Sequence, residues 1–458
     1  MRMRGFLGAV LLLVLPTLTF ASGTLIYEQG SKASAQAGAF VARADDATAI
    51  FYNPAGLAFQ QGMQFTFNLT YINTDVKYES PTLGSHTNNA KNFFIPAFYM
   101  SMPLNDRVTF GVGLTAPFNL ATDWSDNFPG RYASRHSKIV TTDIRPVLAF
   151  KLDEHHAFAI GLDYYDSKVN LVRSVDTSAL STAINDQYPS PPFPPGIPIY
   201  QQSEGSIDTW VRDQALGWDI SYKWNMAPYS LGLTYTSKAT FQYEGHTSFE
   251  VSPYVAPIGF LFPGEKTNLE LTSVPAVASF GFAYSGNPWT VEFDANWVQW
   301  SSWDQSRARF GNQTSFHGTP VVADETLLFD WKDTNTFRLG FGYKMSDNYE
   351  LRFGILYDEA PVPDKTVAPT LPDSDRWSVT FGTGYHKGNF SLDWYGMYLK
   401  FKNRDIAPSN IYRYNETGLP DVIIPGVGRL YRTVYPMTAD GGYKGTAYLF
   451  GMQMSYKF

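Results

Sequence analysis

Residues that could carry acid–base, nucleophilic or metal chemistry are few in this chain of 458 residues. Asp358 and Glu359 are adjacent carboxylates, a combination that could act as a general acid and base. His155 and His156 lie in a predicted tight turn, and the histidines lack the spacing of metal ligands. The sequence contains no cysteine, no nucleophile elbow and no phosphate-binding loop. We therefore expect neither an enzyme nor a cofactor or metal site.

The elements that must position the remaining candidates are β-strands with two chemically different faces. The last strand covers Gly442 to Phe458, where apolar and polar side chains alternate. The apolar side chains occupy the even-numbered positions and are Tyr448, Phe450, Met452, Met454, Tyr456 and Phe458. Alternation with period two indicates a strand, and many such segments with aromatic-rich faces are typical of a transmembrane β-barrel with lipid outside and a polar lumen.

A second strand, residues 288–300, indicates where charged side chains must lie. Trp289 and Phe293 fall on one face, and Glu292 and Asp294 fall on the other. A charge on the lipid face of a barrel costs roughly 2–4 kcal/mol at the bilayer midplane. We therefore expect Glu292 and Asp294 to face the lumen.

The amino end has the pattern of a secretory signal peptide. Arg2 and Arg4 precede an apolar run from Phe6 to Leu15, and a small-x-small site ends at Ala21. The apolar run is too short for a spanning helix, and no later stretch is long enough. Residues 1–21 are predicted to be removed, and a closed barrel is the helix-free way to cross a membrane.

Composition is consistent with an exported barrel. Aromatic residues make up 16% of the chain, including 29 tyrosines and 11 tryptophans, which suits two interfacial girdles. The formal net charge of −7 is modest for this length, and no basic cluster occurs. These features exclude nucleic acid as an expected partner.

The number of turns and loops in the sequence predicts the number of strands. Six tight turns, each between two alternating runs, lie near residues 105–106, 153–155, 227–228, 286–287, 346–348 and 387–388. Seven longer polar or proline-rich loops lie near residues 80–91, 121–136, 176–207, 246–268, 304–325, 360–375 and 403–441. Thirteen connections predict fourteen antiparallel strands in residues 62–458, with the short turns on the periplasmic side.

Residues 22–61 do not fit the barrel pattern, because they are rich in alanine and do not alternate. Ser31 to Arg43 is predicted to form a short helix, and Asn53-Pro54-Ala55-Gly56 a turn. The segment is too small to be a domain. Its composition leaves three alternatives open: a disordered tail, a periplasmic tether or a plug in the lumen.

Three motifs carry a resemblance that spans nearly the whole mature chain. They are residues 44–47 (ADDA) with 52–57 (YNPAGL), residues 331–333 (WKD), and residues 357–364 (YDEAPVPD) with 371–376 (LPDSDR). With these motifs the chain resembles outer-membrane long-chain fatty-acid transporters of the FadL type, a family that also holds hydrocarbon importers such as TodX. The resemblance implies a fourteen-stranded barrel, all-β, in the bacterial outer membrane, with residues 22–61 as a hatch that plugs the lumen.

The resemblance also implies how the hatch and the wall are arranged. Asn53, Pro54 and Ala55 would form the tip of the hatch. The third strand would kink inward and open the wall sideways, and residues 107–120 contain Gly111, Gly113 and Pro117, which weaken a strand or remove a ladder hydrogen bond. An ordinary bulge at a barrel rim is the alternative explanation for these three residues.

Members of this family capture an apolar ligand between two outer loops. In residues 176–186, Leu180 and Ile184 are spaced i, i+4 on a predicted amphipathic helix. In residues 254–263, Phe260 and Phe262 belong to an apolar run. Exposed apolar clusters usually mark a binding surface, although the two loops could instead cover each other.

Two further sets of residues acquire roles only through the resemblance. The family binds the ligand carboxylate with basic lumen residues, one of which aligns with Arg173 and the other, a lysine, with Leu327. Arg173 could instead belong to a structural ion pair. Asp358 and Glu359 fall in a family motif at a strand end near the hatch, where they would be structural or gating residues rather than an acid–base pair.

The function expected from the sequence is passive uptake of long-chain fatty acids or similar apolar molecules by a monomer. Capture at outer loops, a lumen pocket and lateral exit into outer-membrane lipid are its expected steps. Uptake of aromatic or alkane hydrocarbons by the same fold is the alternative. An outer-membrane lipase would need a nucleophile–base pair at the rim, and energised transporters have larger, 22-stranded barrels.

Overall fold

A computed structural model of the chain describes residues 23–80, 83–176, 204–250, 265–270, 273–310, 315–316, 319–320, 325–406, 423–424, 428–429 and 441–458. In these ranges one antiparallel sheet closes on itself as a barrel. Among the described residues, no helix is both long enough and apolar enough to span a membrane.

The wall of the barrel contains fourteen strands within the described ranges, as the turn count predicts. They are β1 (Gln64–Ser80), β2 (Asn92–Asn105), β3 (Val108–Asp123), β4 (His136–Lys151), β5 (His156–Asp176), β6 (Glu204–Met226), β7 (Tyr229–Thr236, Ala239–Thr240 and Tyr243–Glu250), β8 (Glu265–Glu270, Ser273–Val274 and Val277–Ser285), β9 (Trp289–Val298 and Gln305–Phe310), β10 (Glu325–Leu328 and Thr334–Lys344), β11 (Tyr349–Asp358), β12 (Arg376–Lys387), β13 (Phe390–Phe401 and Arg404–Ile406) and β14 (Gly441–Lys457). Short strands Gly84–Thr87, Ser315–Phe316, Thr319–Pro320, Ile423–Ile424 and Gly428–Arg429 lie in the connections.

The first and last strands close the barrel. β1 pairs with β14 without a register shift from Gln64↔Lys457 to Glu79↔Gly442. The six tight turns join β2 to β3, β4 to β5, β6 to β7, β8 to β9, β10 to β11 and β12 to β13. All six therefore lie at one end of the barrel, the short-turn end, and the seven long connections lie at the other, the long-loop end.

The two faces of the wall have the expected chemistry. On the outer face, Phe94 is 65% exposed and Leu216 is 73% exposed. On the inner face, Glu292 and Asp294 are completely buried, as alternation in β9 predicts. Outward apolar and inward charged side chains together suit a wall that has lipid on one side and protein or water on the other.

Residues 23–61 lie inside the barrel and are called the hatch below. Their helices are short: α1 is Ser31–Ser34, α2 is Ala49–Tyr52, and a 3₁₀ helix covers Pro54–Phe59. The helix predicted from Ser31 to Arg43 is therefore wrong beyond Ser34. Small residues allow this segment to pack closely against the wall, and Phe40 and Ala42 are fully buried.

Side chains of the wall replace helical hydrogen bonds in the hatch. The four N–H groups of residues 40–43 point at two carboxylates of β9. The Oδ2 atom of Asp294 accepts two of them at 2.8 and 2.9 Å, and the Oε1 atom of Glu292 accepts the other two at 2.7 and 3.1 Å. Because these donors are satisfied by charge-assisted bonds, the segment has no need of a helix.

Candidate functional site

The tip of the hatch is fixed by Asn53. Its Nδ2 atom donates to the carbonyl of Val41 at 2.8 Å and to that of Tyr222 on β6 at 3.2 Å. Its Oδ1 atom accepts the N–H of Ala55 at 3.1 Å, just after Pro54, which begins the 3₁₀ helix. One side chain thus joins the turn to the rest of the hatch and to the wall.

The third strand leaves its neighbour part of the way along the wall. β3 pairs with β2 only from Asn105↔Val108 to Phe98↔Leu114, and its register with β4 shifts between Thr115 and Phe118. The remaining residues of β2, Asn92 to Ala97, pair with β1 alone. The ladder between β2 and β3 is therefore open toward the long-loop end.

Hatch residues take the place of β2 beside this part of β3. The N–H of Ile26 donates to the carbonyl of Pro117 at 2.7 Å, and the N–H of Asn119 donates to the carbonyl of Thr24 at 3.1 Å. Between these bonds, Leu25 forms a β-bridge with Phe118. Pro117 thus lies at the register shift, where β3 pairs with the hatch.

Gly111 and Gly113 lie elsewhere, in the part of β3 that is still paired with β2. A Cβ atom added at Gly111 would lie 2.8 Å from the Leu57 side chain, and one at Gly113 would lie 2.9 Å from Ile50. The space that both glycines leave is thus filled by the hatch, and bulky residues there would push against the hatch rather than fill the lateral gap.

The motif carboxylates Asp358 and Glu359 bridge neighbouring elements of the wall. Asp358, at the end of β11, accepts the Thr336 hydroxyl at 2.6 Å and pairs with Arg376 at 2.8 Å. Glu359 accepts the side-chain amide of Asn335 at 2.8 Å. These contacts support a structural role for the pair.

A cavity of about 190 Å³ lies between the wall, the connection from β3 to β4 and the connection from β11 to β12. Its apolar lining includes Ile139, Val169, Leu171, Ile207, Leu269, Trp303, Leu327, Phe329, Trp331, Val362 and Leu371. The indole rings of Trp303 and Trp331 are stacked, with centroids 4.4 Å apart. A concave apolar cavity with few polar groups is the usual form of a binding site for an apolar ligand.

Arg173 and Leu327, the two positions that align with the basic residues of the family, both line this cavity. Arg173 lies near the end of β5, where it pairs with Ile207 in the ladder. Among the described lining residues, the only other basic side chain is His136, whose Nδ1 atom lies 3.4 Å from an Asp123 carboxylate oxygen. The cavity therefore places one guanidinium beside a mainly apolar surface.

The loop residues expected to capture ligand, Leu180, Ile184, Phe260 and Phe262, lie outside the described residues. Other residues were not anticipated from the sequence as parts of a site. Trp303 and Trp331 could have been suspected, because tryptophans occur unusually often near two strand ends in the sequence. Asp373 of the LPDSDR motif accepts the backbone N–H of Gly23 at 2.9 Å, a contact that the sequence alone does not indicate.

A closed wall with an apolar outer face, together with a hatch and a cavity inside the lumen, has the form of an outer-membrane β-barrel of the transport class. The chain belongs to the outer membrane protein transport protein family (OMPP1/FadL/TodX), whose model matches residues 12–458. This membership confirms the barrel, its location in the outer membrane and its class.

Individual relatives are distant in sequence but similar over most of their length. The chain is 24% identical over 396 residues to the long-chain fatty acid transport protein of Salmonella typhi, covering 82% of this chain and 87% of the relative. Its fold matches a FadL homologue of Pseudomonas aeruginosa with a TM-score of 0.77 at 20% identity, covering 95% and 100% of the two chains. It matches the toluene transporter TodX of P. putida with a TM-score of 0.68 at 16% identity, covering 96% and 99%.

Proposed function

We propose that this protein takes up long-chain fatty acids, or closely similar amphipathic molecules, by passive transport across the outer membrane. The observation that carries the proposal is the cavity, which combines an extensive apolar lining with the guanidinium of Arg173. A guanidinium matches a carboxylate in charge and geometry, and the apolar lining suits an acyl chain. The Salmonella typhi relative is a long-chain fatty acid transport protein by name, which supports the same ligand class.

Hydrocarbon uptake is the second candidate, and one observation favours it. Leu327 lines the cavity at the position that aligns with a second basic residue of the family. Its side chain offers apolar area where a lysine would offer a charge. A ligand without a charged head group would lose no affinity when leucine replaces the basic residue. The toluene transporter of P. putida shares the fold.

Buried ion pairs in the part of the lumen near the short-turn end favour a lateral rather than an axial exit. Toward the short-turn end, Arg352 is fully buried and pairs with Glu350 and Asp393, and Arg43 of the hatch pairs with Glu292 at 2.8 Å. An apolar ligand that passed there would have to separate buried ion pairs, each costly to break. The gap between β2 and β3 offers a route into lipid that avoids these charges.

Transport assays distinguish the two ligand classes. Purified protein in lipid vesicles is expected to accelerate oleate uptake over protein-free vesicles, and to accelerate toluene uptake less, because only oleate can use Arg173. Uptake of toluene alone would favour the second candidate. No acceleration with either probe, from protein shown to be folded, would contradict both.

The lateral route is tested at Ala116, whose backbone N–H and carbonyl both bond to the Gln29 side chain beside the gap. Ala116→Trp is expected to reduce oleate uptake several-fold by filling this space, while oleate binding changes little. Leu114→Trp is the matched control, because Leu114 is in the paired part of β3 and is exposed on the outer face. Equal uptake by both variants and the unchanged chain would argue against this exit.

A further inference from the structure

The outer face of β6 indicates where the apolar part of the membrane ends. Its outward side chains are apolar or aromatic at every second position from Trp224 to Leu216, and Gln214 and Arg212 follow. These eight residues, on a tilted strand, span roughly 20 Å along the membrane normal, and the apolar band of such barrels is roughly 25 Å tall. Gln214 therefore lies at the edge of the band. Arg212 lies at the depth of the outer-leaflet head groups, because long loops are extracellular.

Three cations lie on the outer face at this depth, and they are called the basic patch. Lys168 of β5 is directly opposite Arg212 of β6, and their side chains are 60% and 62% exposed. Lys138 of β4 pairs with Asn170, two residues after Lys168, so it is a diagonal neighbour of Lys168 on the same face. Because like charges directly opposite each other destabilise a sheet, the wall holds Lys168 and Arg212 together at a cost in stability.

Carboxylates neutralise the basic patch only in part. Asp166 lies 3.9 Å from the Nζ atom of Lys168 and 3.5 Å from the Nη2 atom of Arg212, so one carboxylate serves two cations. Lys138 forms no ion pair with any described residue. Glu244, opposite Arg212 on β7, makes its contacts elsewhere. With one carboxylate for three cations, the patch and Asp166 together have a net charge of +2.

A second pair of opposed lysines in the wall is neutralised completely. Lys77 of β1 is directly opposite Lys444 of β14, also toward the long-loop end and at outward positions. Lys77 pairs with Asp75 at 3.0 Å, and Lys444 pairs with Glu79 at 2.6 Å. The same barrel thus supplies two carboxylates to one opposed pair and one carboxylate to the basic patch, which leaves the patch with an unmet demand for negative charge.

The surroundings of the basic patch suit a lipid better than a soluble anion. Trp210, which is 48% exposed, lies two residues beyond Arg212, while Tyr164 and Leu216 form an exposed pair on its other side. Because tryptophan and tyrosine favour the membrane interface, cations between them lie within the head-group layer. A phosphate monoester carries about −1.5 to −2 charges at neutral pH, which matches the net charge of the site, and arginine binds it in bidentate geometry.

We propose that Lys138, Lys168 and Arg212 form a docking site for a phosphorylated lipid of the outer leaflet. A phosphate monoester lies against the three cations, and the acyl chains lie along the apolar outer face of β5 and β6. The bound phosphate neutralises the opposed pair and thereby stabilises this sector of the wall. The site is on the outside of the barrel, apart from the cavity and the gap between β2 and β3, and does not depend on which ligand is transported.

The experiment follows thermal unfolding of the full-length protein in a neutral detergent during titration with bisphosphorylated lipid A. The unfolding midpoint of the unchanged chain should rise as lipid A is added. Lys168→Gln combined with Arg212→Gln should weaken the apparent affinity by about 30-fold, and Lys138→Gln by about fivefold, because each cation near an anionic lipid surface contributes similarly. Without lipid A, none of these variants should unfold at a lower temperature, since exposed ion pairs contribute little to stability.

The matched control is Lys77→Gln combined with Lys444→Gln, which removes two opposed lysines at the same end of the barrel. Its affinity for lipid A should stay within about twofold of the unchanged chain, because both lysines are already neutralised. Dephosphorylated lipid A lacks the anion and inorganic phosphate lacks the acyl chains, so neither probe should raise the midpoint at the same concentration.

Four results would overturn the docking site. Equal weakening by the two double variants would mean that overall charge attracts lipid A. Stabilisation by dephosphorylated lipid A would mean that the acyl chains alone bind, and stabilisation by inorganic phosphate would identify a site for free anions. Unchanged affinity in the patch variants would place the phosphate elsewhere. Lys138→Gln breaks no ion pair, so it decides the question even when the double variant of the patch does not fold.

Discussion

A chain without residues 22–58 is expected to form a stable but open barrel that conducts ions. The interstrand ladder closes through β1 and β14 without any contribution from the hatch. Removing the hatch, however, would leave a lumen wider than the inward side chains of the wall can fill. Conductance should rise by roughly tenfold or more, since side chains fill the interior of a barrel of about 8 strands but leave an aqueous channel in one of about 16–18. Deletion also removes Arg43, so Glu292 would face the pore without its partner. The open pore should therefore be selective for cations.

Single-channel recording in planar bilayers tests this result. Circular dichroism of the deleted chain, together with its resistance to unfolding in detergent, establishes first that the barrel has formed. Conductance should then exceed that of the full chain at the same salt concentration, with a reversal potential shifted toward cation selectivity. Closed channels from a folded, deleted barrel would show that residues 22–58 do not block the lumen.

The wall was predictable because its rules are local. A tight turn between two alternating runs fixes a hairpin, and alternation then decides which side chains meet lipid. Leu216 and Phe94 lie on the outer face and Glu292 on the inner face for this reason alone. Counting such turns was enough to predict fourteen strands.

The hatch was less predictable because its structure depends on the wall. The run of small residues after Ser34 has the composition of a helix, but its N–H groups meet Asp294 and Glu292 about 250 residues later in the chain. Gly111 and Gly113 are similar cases, since only the packed structure reveals Leu57 and Ile50 against them. Sequence patterns report on local periodicity and contain no information about such long-range partners.

Arg173→Ala is expected to weaken fatty-acid binding by about 10- to 100-fold and to leave alkane or aromatic binding nearly unchanged. The guanidinium lines a cavity whose other basic side chain, His136, is beside Asp123. A hydrogen bond between charged groups contributes roughly 1.5–3 kcal/mol, and each 1.4 kcal/mol is about a factor of ten in affinity. A hydrocarbon has no group that could accept this bond.

The experiment that tests this prediction also uses Leu327, the position that aligns with the second basic residue of the family. Calorimetric titration with oleate and with a matched alkane analogue compares Arg173→Ala with Lys168→Ala, a control on the same strand whose side chain is 60% exposed. Leu327→Lys, introduced into Arg173→Ala, should recover part of the oleate affinity, because both positions line one cavity. Equal loss for both ligands without rescue would mean that Arg173 shapes the cavity. No loss for either ligand would place the carboxylate elsewhere and favour hydrocarbon uptake, in which the apolar side chain of Leu327 is an advantage.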